Sequence, residues 1–408
     1  MHPKFVILPT AALALAAITT SASAAFFQVY APFPGAGTGF VSYGYAVSGD
    51  GSTAVGTART SNAALNPGIA FIAHVGDTTI SAVPGLPSGI SIAYGVSYDG
   101  SVILGQDATA TTGTLSPFYA TASGIVQIGP ANNSGAAYGI SRNNTITGIV
   151  TSTTPLDSNA VQHAFVYTLG SGLDVTTPTL LPETQPLPGK GDATSNSVAI
   201  SESGTVVAGW AHNSQGKQQA AIWTQDSGGT WVEDTLIPQL TNDQFKHDSA
   251  TGVSGDGSLV VGWANVNNSS TTQSFIYDVL STNLTTLSSI NGIGTGTEAL
   301  TISADGTLIG GSDSSGAVFW DTADNSEHSL ADYLTANGIA ITPGWTLKGL
   351  DSISDDDKTF TGWATDASGN REAFVASLTS TAVPEPASVA TLLVGATILI
   401  RRRKSCQD

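Results

Sequence analysis

The sequence predicts an all-β fold, a seven-repeat β-propeller with about four strands per blade. Three observations lead there. A marker hairpin recurs seven times at a spacing near 50 residues, and an apolar strand rich in aromatic residues follows each copy. The composition fits short strands joined by many turns: 408 residues, 11% charged, 41% apolar and 46 glycines.

The hairpins read in order as "AVSGDGSTAVGTA" from Ala46, "GVSYDGSVILGQD" from Gly95, "GISRNNTITGIVT" from Gly139, "AISESGTVVAGWA" from Ala199, "GVSGDGSLVVGWA" from Gly252, "TISADGTLIGGSD" from Thr301 and "SISDDDKTFTGWA" from Ser352. Their shared serines are Ser48, Ser97, Ser141, Ser201, Ser254, Ser303 and Ser354. Each copy is expected to form a strand, a tight turn and a second strand ending in Gly. Asp-Gly and Asn-Asn suit the turn because its residues need positive φ. The third strand of each unit follows, as "AFIA" at Ala70, "PFYA" at Pro117, "AFVY" at Ala164, "AAIW" at Ala220, "SFIY" at Ser274, "AVFW" at Ala317 and "AFVA" at Ala373. A fourth comes next, for instance "GIVQIG" from Gly124 or "TWVEDTLI" from Thr230. The seventh unit ends near Leu378 without a fourth strand. The segment Phe26 to Ala31 resembles the fourth-strand region from Thr79 and is expected to complete the last blade. A six-bladed ring or an open array is the alternative, and an open array would leave an unpaired edge that invites aggregation.

The repeat unit resembles the HAF repeat of bacterial extracellular proteins, seen most literally in His163-Ala164-Phe165. The segment from Leu330 to Leu378 is similar to the closing repeat of such proteins. This resemblance spans most of residues 40 to 378 and implies an extracytoplasmic repeat protein, with no activity to carry over.

The two ends read as addresses. Residues 1–24 combine Lys4, an apolar run from Phe5 to Ile18, and small residues at Ala22 and Ala24, the pattern of a cleavable signal peptide. Residues 25–380 then form the propeller domain, and 381–408 a tail. In that tail, Pro384 and Pro386 precede the apolar run 387–400, and the basic cluster Arg401, Arg402, Arg403 and Lys404 follows. As a helix the run covers about 21 Å against about 30 Å of hydrocarbon, a short transmembrane helix whose cations act as a stop-transfer signal. Val383-Pro384-Glu385-Pro386, the apolar run and the cations together resemble the PEP-CTERM sorting signal of Gram-negative bacteria. That resemblance implies export, transient retention by the tail, and processing by an exosortase-type membrane enzyme at the cell surface. It also implies an association with exopolysaccharide and biofilm.

Charge and chemistry narrow the function. Between residues 25 and 380 there are 8 cations and 29 acids. A surface of that sign repels nucleic-acid phosphates and anionic headgroups, so no nucleic acid is expected as partner and the membrane is met only through the tail. The single cysteine, Cys406, lies beyond the basic cluster, so the body has no disulfide, Cys-ligated zinc or Cys nucleophile. The six histidines form no H-x-x-x-H pair, and there is no G-x-S-x-G or P-loop segment. No catalytic residue and no cofactor is expected. The Asp-Gly turns carry one acid each, short of a calcium loop. Asp355, Asp356 and Asp357 are the densest acidic cluster and the one candidate for a metal. Trp210, Trp263 and Trp363 recur at one repeat position, where packing between blades competes with stacking on sugars. The leading expectation is a non-enzymatic matrix module that binds exopolysaccharide or protein. A propeller enzyme acting on extracellular glycans, with carboxylates gathered from several blades, and a ligandless spacer are the rivals.

Overall fold

The computed structural model describes residues 25–30, 41–59, 68–86, 90–108, 114–129, 133–154, 157–170, 178–183, 194–214, 216–237, 247–266, 271–290 and 296–378. Ala22, Ala24, the Val383–Pro386 motif, the apolar run 387–400 and the cluster 401–404 lie outside the described residues. Among the described residues no helix is long and apolar enough to cross a membrane.

Seven antiparallel sheets of four strands each follow one another along the chain, which makes a seven-bladed propeller. In the first blade the strands run from the axis outwards as Val41–Val47, Thr53–Arg59, Ile69–His74 and Ser81–Ala82. The innermost strands of the next six blades are Ser91–Val96, Gly135–Ile140, Ser195–Ile200, Ser249–Val253, Glu298–Ile302 and Thr346–Ile353. The seventh blade takes its outer strand from the other end of the chain. Phe26–Val29 pairs antiparallel with Arg371–Ser377, Phe26 opposite Ser377 and Val29 opposite Phe374. This is the closure expected for Phe26 onwards, although Ala31 falls outside the described residues.

The shared serines explain the marker hairpins. All seven are buried. Ser97 donates from Oγ to Asp99 Oδ1 at 2.7 Å and accepts from the Val102 N–H at 2.9 Å. Ser48, Ser254, Ser303 and Ser354 repeat the arrangement with Asp50, Asp256, Asp305 and Asp356. One hydroxyl thus closes each turn and satisfies a backbone donor that burial would otherwise strand. The residue three places after the shared serine adopts positive φ: Gly51, Gly100, Gly204, Gly257 and Gly306, with Asn144 and Asp357 in their place in the third and seventh blades.

The second strands run on past the glycine at which the sequence pattern ends them, since Gly56 lies inside Thr53–Arg59 and Gly105 inside Ile103–Ala108; the glycine is there for space. A Cβ on Gly105 would sit 1.9 Å from the Ile92 carbonyl oxygen and 2.9 Å from the Phe118 ring. Its absence lets the inner strand approach and the third-strand phenylalanine lie across the sheet. Phe71, Phe118, Phe165, Phe275 and Phe374 are all buried in this way. The apolar side chains form seven clusters, one at each interface between neighbouring blades, the last uniting Ala373 and Val375 of blade 7 with Ala54 and Phe71 of blade 1. The ring is therefore closed by packing as well as by strand exchange.

One helix, Leu330–Ala336, was not anticipated by the strand pattern. Ser329 caps it by accepting from the Asp332 N–H, and Leu330 and Leu334 pack beside Phe319 and Leu350 between blades 6 and 7.

Candidate functional site in the central channel

Every innermost strand carries a β-bulge, as the pairing registers show at Gly44/Ala46, Ala93/Gly95, Ala137/Gly139, Ser197/Ala199, Ala250/Gly252, Ala299/Thr301 and Leu350/Ser352. A bulge breaks the in–out alternation and re-aims one side chain. Here that residue stands three places before the shared serine. Around the ring it is Tyr45, Tyr94, Tyr138, Val198, Thr251, Leu300 and Asp351, and all seven line one chamber of about 370 Å³ on the axis.

The chamber has two unlike halves. Tyr45, Tyr94 and Tyr138 come from adjacent blades, with ring centroids 5.2 and 5.0 Å apart, and form a curved aromatic wall. Gln106 Nε2 donates to the Tyr94 hydroxyl at 3.2 Å, which fixes that ring. Val198 and Leu300 make the facing side aliphatic. Asp351 sits beside Tyr45. Its Oδ2 is enclosed without a hydrogen-bond partner, while the residue as a whole keeps partial exposure. Burial raises its carboxyl to about 7, because the charged form loses its water and gains nothing in return. Burial, and then the nearby Asp351 charge, push the Tyr45 hydroxyl up to about 12.

At the hairpin end of the channel, side chains one place after the shared serine meet across the axis. Arg142 of blade 3 reaches Asp355 Oδ2 of blade 7 at 2.6 Å and, through Nε, Glu202 Oε2 of blade 4 at 2.8 Å. Its guanidinium also lies 4.0 Å from the centre of the Tyr98 ring of blade 2. Four of the seven blades thus join in one polar plug. Burial first, and then the adjacent Glu202 carboxylate, raise the Asp355 carboxyl to about 7, against the opposing pull of Arg142.

The acidic run Asp355 to Asp357 does not act as a unit. Asp355 belongs to the plug. Asp356 caps its own hairpin, accepting from Ser354 Oγ at 2.7 Å and from the Lys358 N–H at 3.2 Å. Asp357 occupies the left-handed turn position and accepts from Thr307 of blade 6. Among the described residues no three His, Cys, Asp or Glu side chains converge as a metal site would require. The repeat-position tryptophans Trp210, Trp263 and Trp363 lie on the second strands of blades 4, 5 and 7, half-buried, and none lines the chamber. Trp363 is wedged between the Arg371 guanidinium at 4.5 Å and the Tyr43 ring at 6.4 Å, at the seam of blades 7 and 1. His163 is buried with Nδ1 3.2 Å from Glu183 Oε1, and Ser195 donates to the same carboxylate.

Sequence reasoning missed the channel ring. The signal was available as a fixed offset from the serines, where one register position reads Tyr, Tyr, Tyr, Val, Thr, Leu and Asp within an otherwise repetitive frame.

Fold and site together define a closed seven-bladed propeller with a polar-plugged axial chamber. Similar folds occur among solved proteins. An oligogalacturonate lyase of Vibrio parahaemolyticus aligns over 89% of this chain and 98% of its own, with 10% identity and a TM-score of 0.53. A second oligogalacturonate lyase, solved in complex with manganese, covers 85% of this chain and 90% of its own at 12% identity and a TM-score of 0.51. The β-propeller domain of the Trilobed protease of Pyrococcus furiosus, described as having an open velcro topology, covers 82% and 95% at 10% identity and 0.52. At such identities the likeness concerns the fold alone. No protein-family model and no curated protein matches the sequence.

Proposed function

We propose that this chain is an exported cell-surface or extracellular-matrix protein of a Gram-negative bacterium, whose propeller binds exopolysaccharide or a matrix protein without turning it over. The signal-like N-terminus, the PEP-CTERM-like tail and the HAF-like repeats support the address. Processing of the tail by an exosortase-type enzyme is part of the same reading.

The observation that carries binding is the chamber wall. Three tyrosine rings from adjacent blades offer the flat amphipathic faces on which sugars and other ring-bearing groups stack. Hydrolysis of a glycoside calls for two carboxyl groups about 5 to 10 Å apart around the scissile bond. Asp351 is the one carboxylate lining the chamber among the described residues. The two acids at the hairpin end are both engaged by Arg142.

The test is cosedimentation of residues 25–380 with the host's exopolysaccharide, with and without calcium, while release of reducing ends is followed. Binding without release is the expected result. Release of sugar would replace this reading with a propeller enzyme acting on glycans, and no interaction at all would favour a spacer.

A further inference from the structure

We propose that the axial chamber receives an organic ammonium group, paired with Asp351 and walled by Tyr45, Tyr94 and Tyr138. This rests on the reading of the chamber as a binding site and names the chemistry of what enters it.

Two independent features call for a cation. The first is Asp351, which lines the chamber and forms no ion pair among the described residues; its Oδ2 is enclosed beside Gly362 without a hydrogen-bond partner, which leaves Oδ1 as the oxygen to meet an occupant. A carboxylate held this way is costly until a donor or a counter-charge arrives. The second is the tyrosine wall itself. Faces of aromatic rings attract cations, and the effect grows when the cation leaves water, which is how aromatic cages take up quaternary ammonium groups. Asp351 and Tyr45 stand on neighbouring blades, so the negative charge lies at one end of the aromatic arc. Val198 and Leu300 opposite suit methyl or methylene groups carried by the cation.

Other occupants fit less of this. A sugar hydroxyl can donate to Asp351, but only a charged group draws on both the carboxylate and the ring quadrupoles. A calcium ion requires six to eight oxygen ligands, and the wall offers a single carboxylate. Arg59, on the second strand of blade 1, acts electrostatically on Tyr45 and Tyr94. Its guanidinium is not among the groups that line the chamber.

Calorimetric titration of the full chain with choline, against its uncharged isostere 3,3-dimethylbutan-1-ol, tests this directly. One choline should bind per chain, about tenfold or more tighter than the alcohol, equivalent to about 1.4 kcal/mol. Asp351→Asn should remove that preference while leaving the melting temperature unlowered. Leu300→Lys, which places a cation on the opposite wall, should abolish choline binding by a separate route. Equal affinity for the alcohol, unchanged choline binding in Asp351→Asn, or no binding of choline at tens of millimolar would each overturn the proposal. The two readings fail separately. Polysaccharide binding without a choline response removes the ammonium and keeps the matrix role, and the converse result keeps the chamber chemistry and removes the matrix role.

Discussion

Tyr30 tests ring closure. It follows the N-terminal strand, donates its backbone N–H to the Ala373 carbonyl at 3.1 Å, and packs its ring 6.2 Å from Phe71 of blade 1. It is 1% exposed and belongs to the cluster that joins blades 7 and 1. Truncating a buried aromatic residue to alanine costs about 3–5 kcal/mol through lost transfer energy and the cavity left behind. For the unit Ala25–Thr379, an unfolding entropy of about 2.1 cal/mol/K per residue converts a loss of about 4 kcal/mol into a fall in melting temperature of about 5 °C. Tyr30→Phe makes the contrast. The Tyr30 hydroxyl is buried with no partner, so its removal should be neutral or stabilising by up to about 1 kcal/mol. Differential scanning calorimetry on the two variants reads both effects. If Tyr30→Ala melted within about 1 °C of the parent, the N-terminal segment would not be fastening the seventh blade and the closure argument would fall.

Three further predictions follow from the same geometry. Gly105→Ala should destabilise by about 3 kcal/mol or more, or prevent soluble expression, because its Cβ meets a backbone oxygen that cannot retreat without parting two strands; urea unfolding measures it. Asp357→Gly should stabilise by about 0.5–1 kcal/mol, since it relieves a non-glycine residue at φ 58° and removes a carboxylate oxygen buried without a partner. Asp351→Asn should raise the melting temperature at pH 8 by up to about 5 °C, the equivalent of about 4 kcal/mol. With the folded carboxyl raised to about 7, the wild-type chain loses stability as pH rises from its unfolded value near 4 to about 7. The gain from Asp351→Asn should therefore vanish near pH 4, and a gain independent of pH would refute the assignment.

How much of this was legible in the sequence depends on what each residue answers to. The serine hairpins were readable because their cause is local: a hydroxyl, a turn acceptor and a residue of positive φ act within six residues, and the shared serine recurs seven times. The third strands were readable because burial between blades selects Phe and branched residues on a fixed face. The closing strand was readable by elimination, since the seventh unit lacked a partner. The helix Leu330–Ala336 was not, because its apolar contacts, Leu330 and Leu334, are too few to set a helical period against a strand background. The channel ring was hidden for a different reason. A bulge inserts one residue out of alternation, so a strand pattern read by twos assigns Tyr94 or Asp351 to the wrong face.

That bulge also separates stability from function within each blade. Residues on either side of it serve the sheet: in blade 2, Ala93 is buried in the interface with blade 1, and Ser97 closes the hairpin. The bulged residue has no register partner on the second strand, so it differs from blade to blade, from tyrosine to leucine to aspartate, while the frame repeats. Its contacts are with neighbouring blades, as Thr251 Oγ1 donates to the Ala299 carbonyl at 2.7 Å. The plug position behaves the same way, reading Tyr98, Arg142, Glu202 and Asp355 in four blades, with glycine or alanine at Gly49, Gly255 and Ala304. Large side chains from blades 2, 3, 4 and 7 can meet over the axis only because the other three blades stand back there. A Cβ on Gly49 would fall 2.5 Å from Asp355 Oδ2 and 2.3 Å from the Tyr98 ring. Gly49→Val should therefore displace Asp355 from Arg142 and open the hairpin end of the channel, at small cost to a partly exposed ion pair. Fluorescence quenching of the channel tyrosines by acrylamide reports it. An increased quenching constant with an unchanged melting temperature is expected, and quenching equal to wild type would mean that the plug does not close that end.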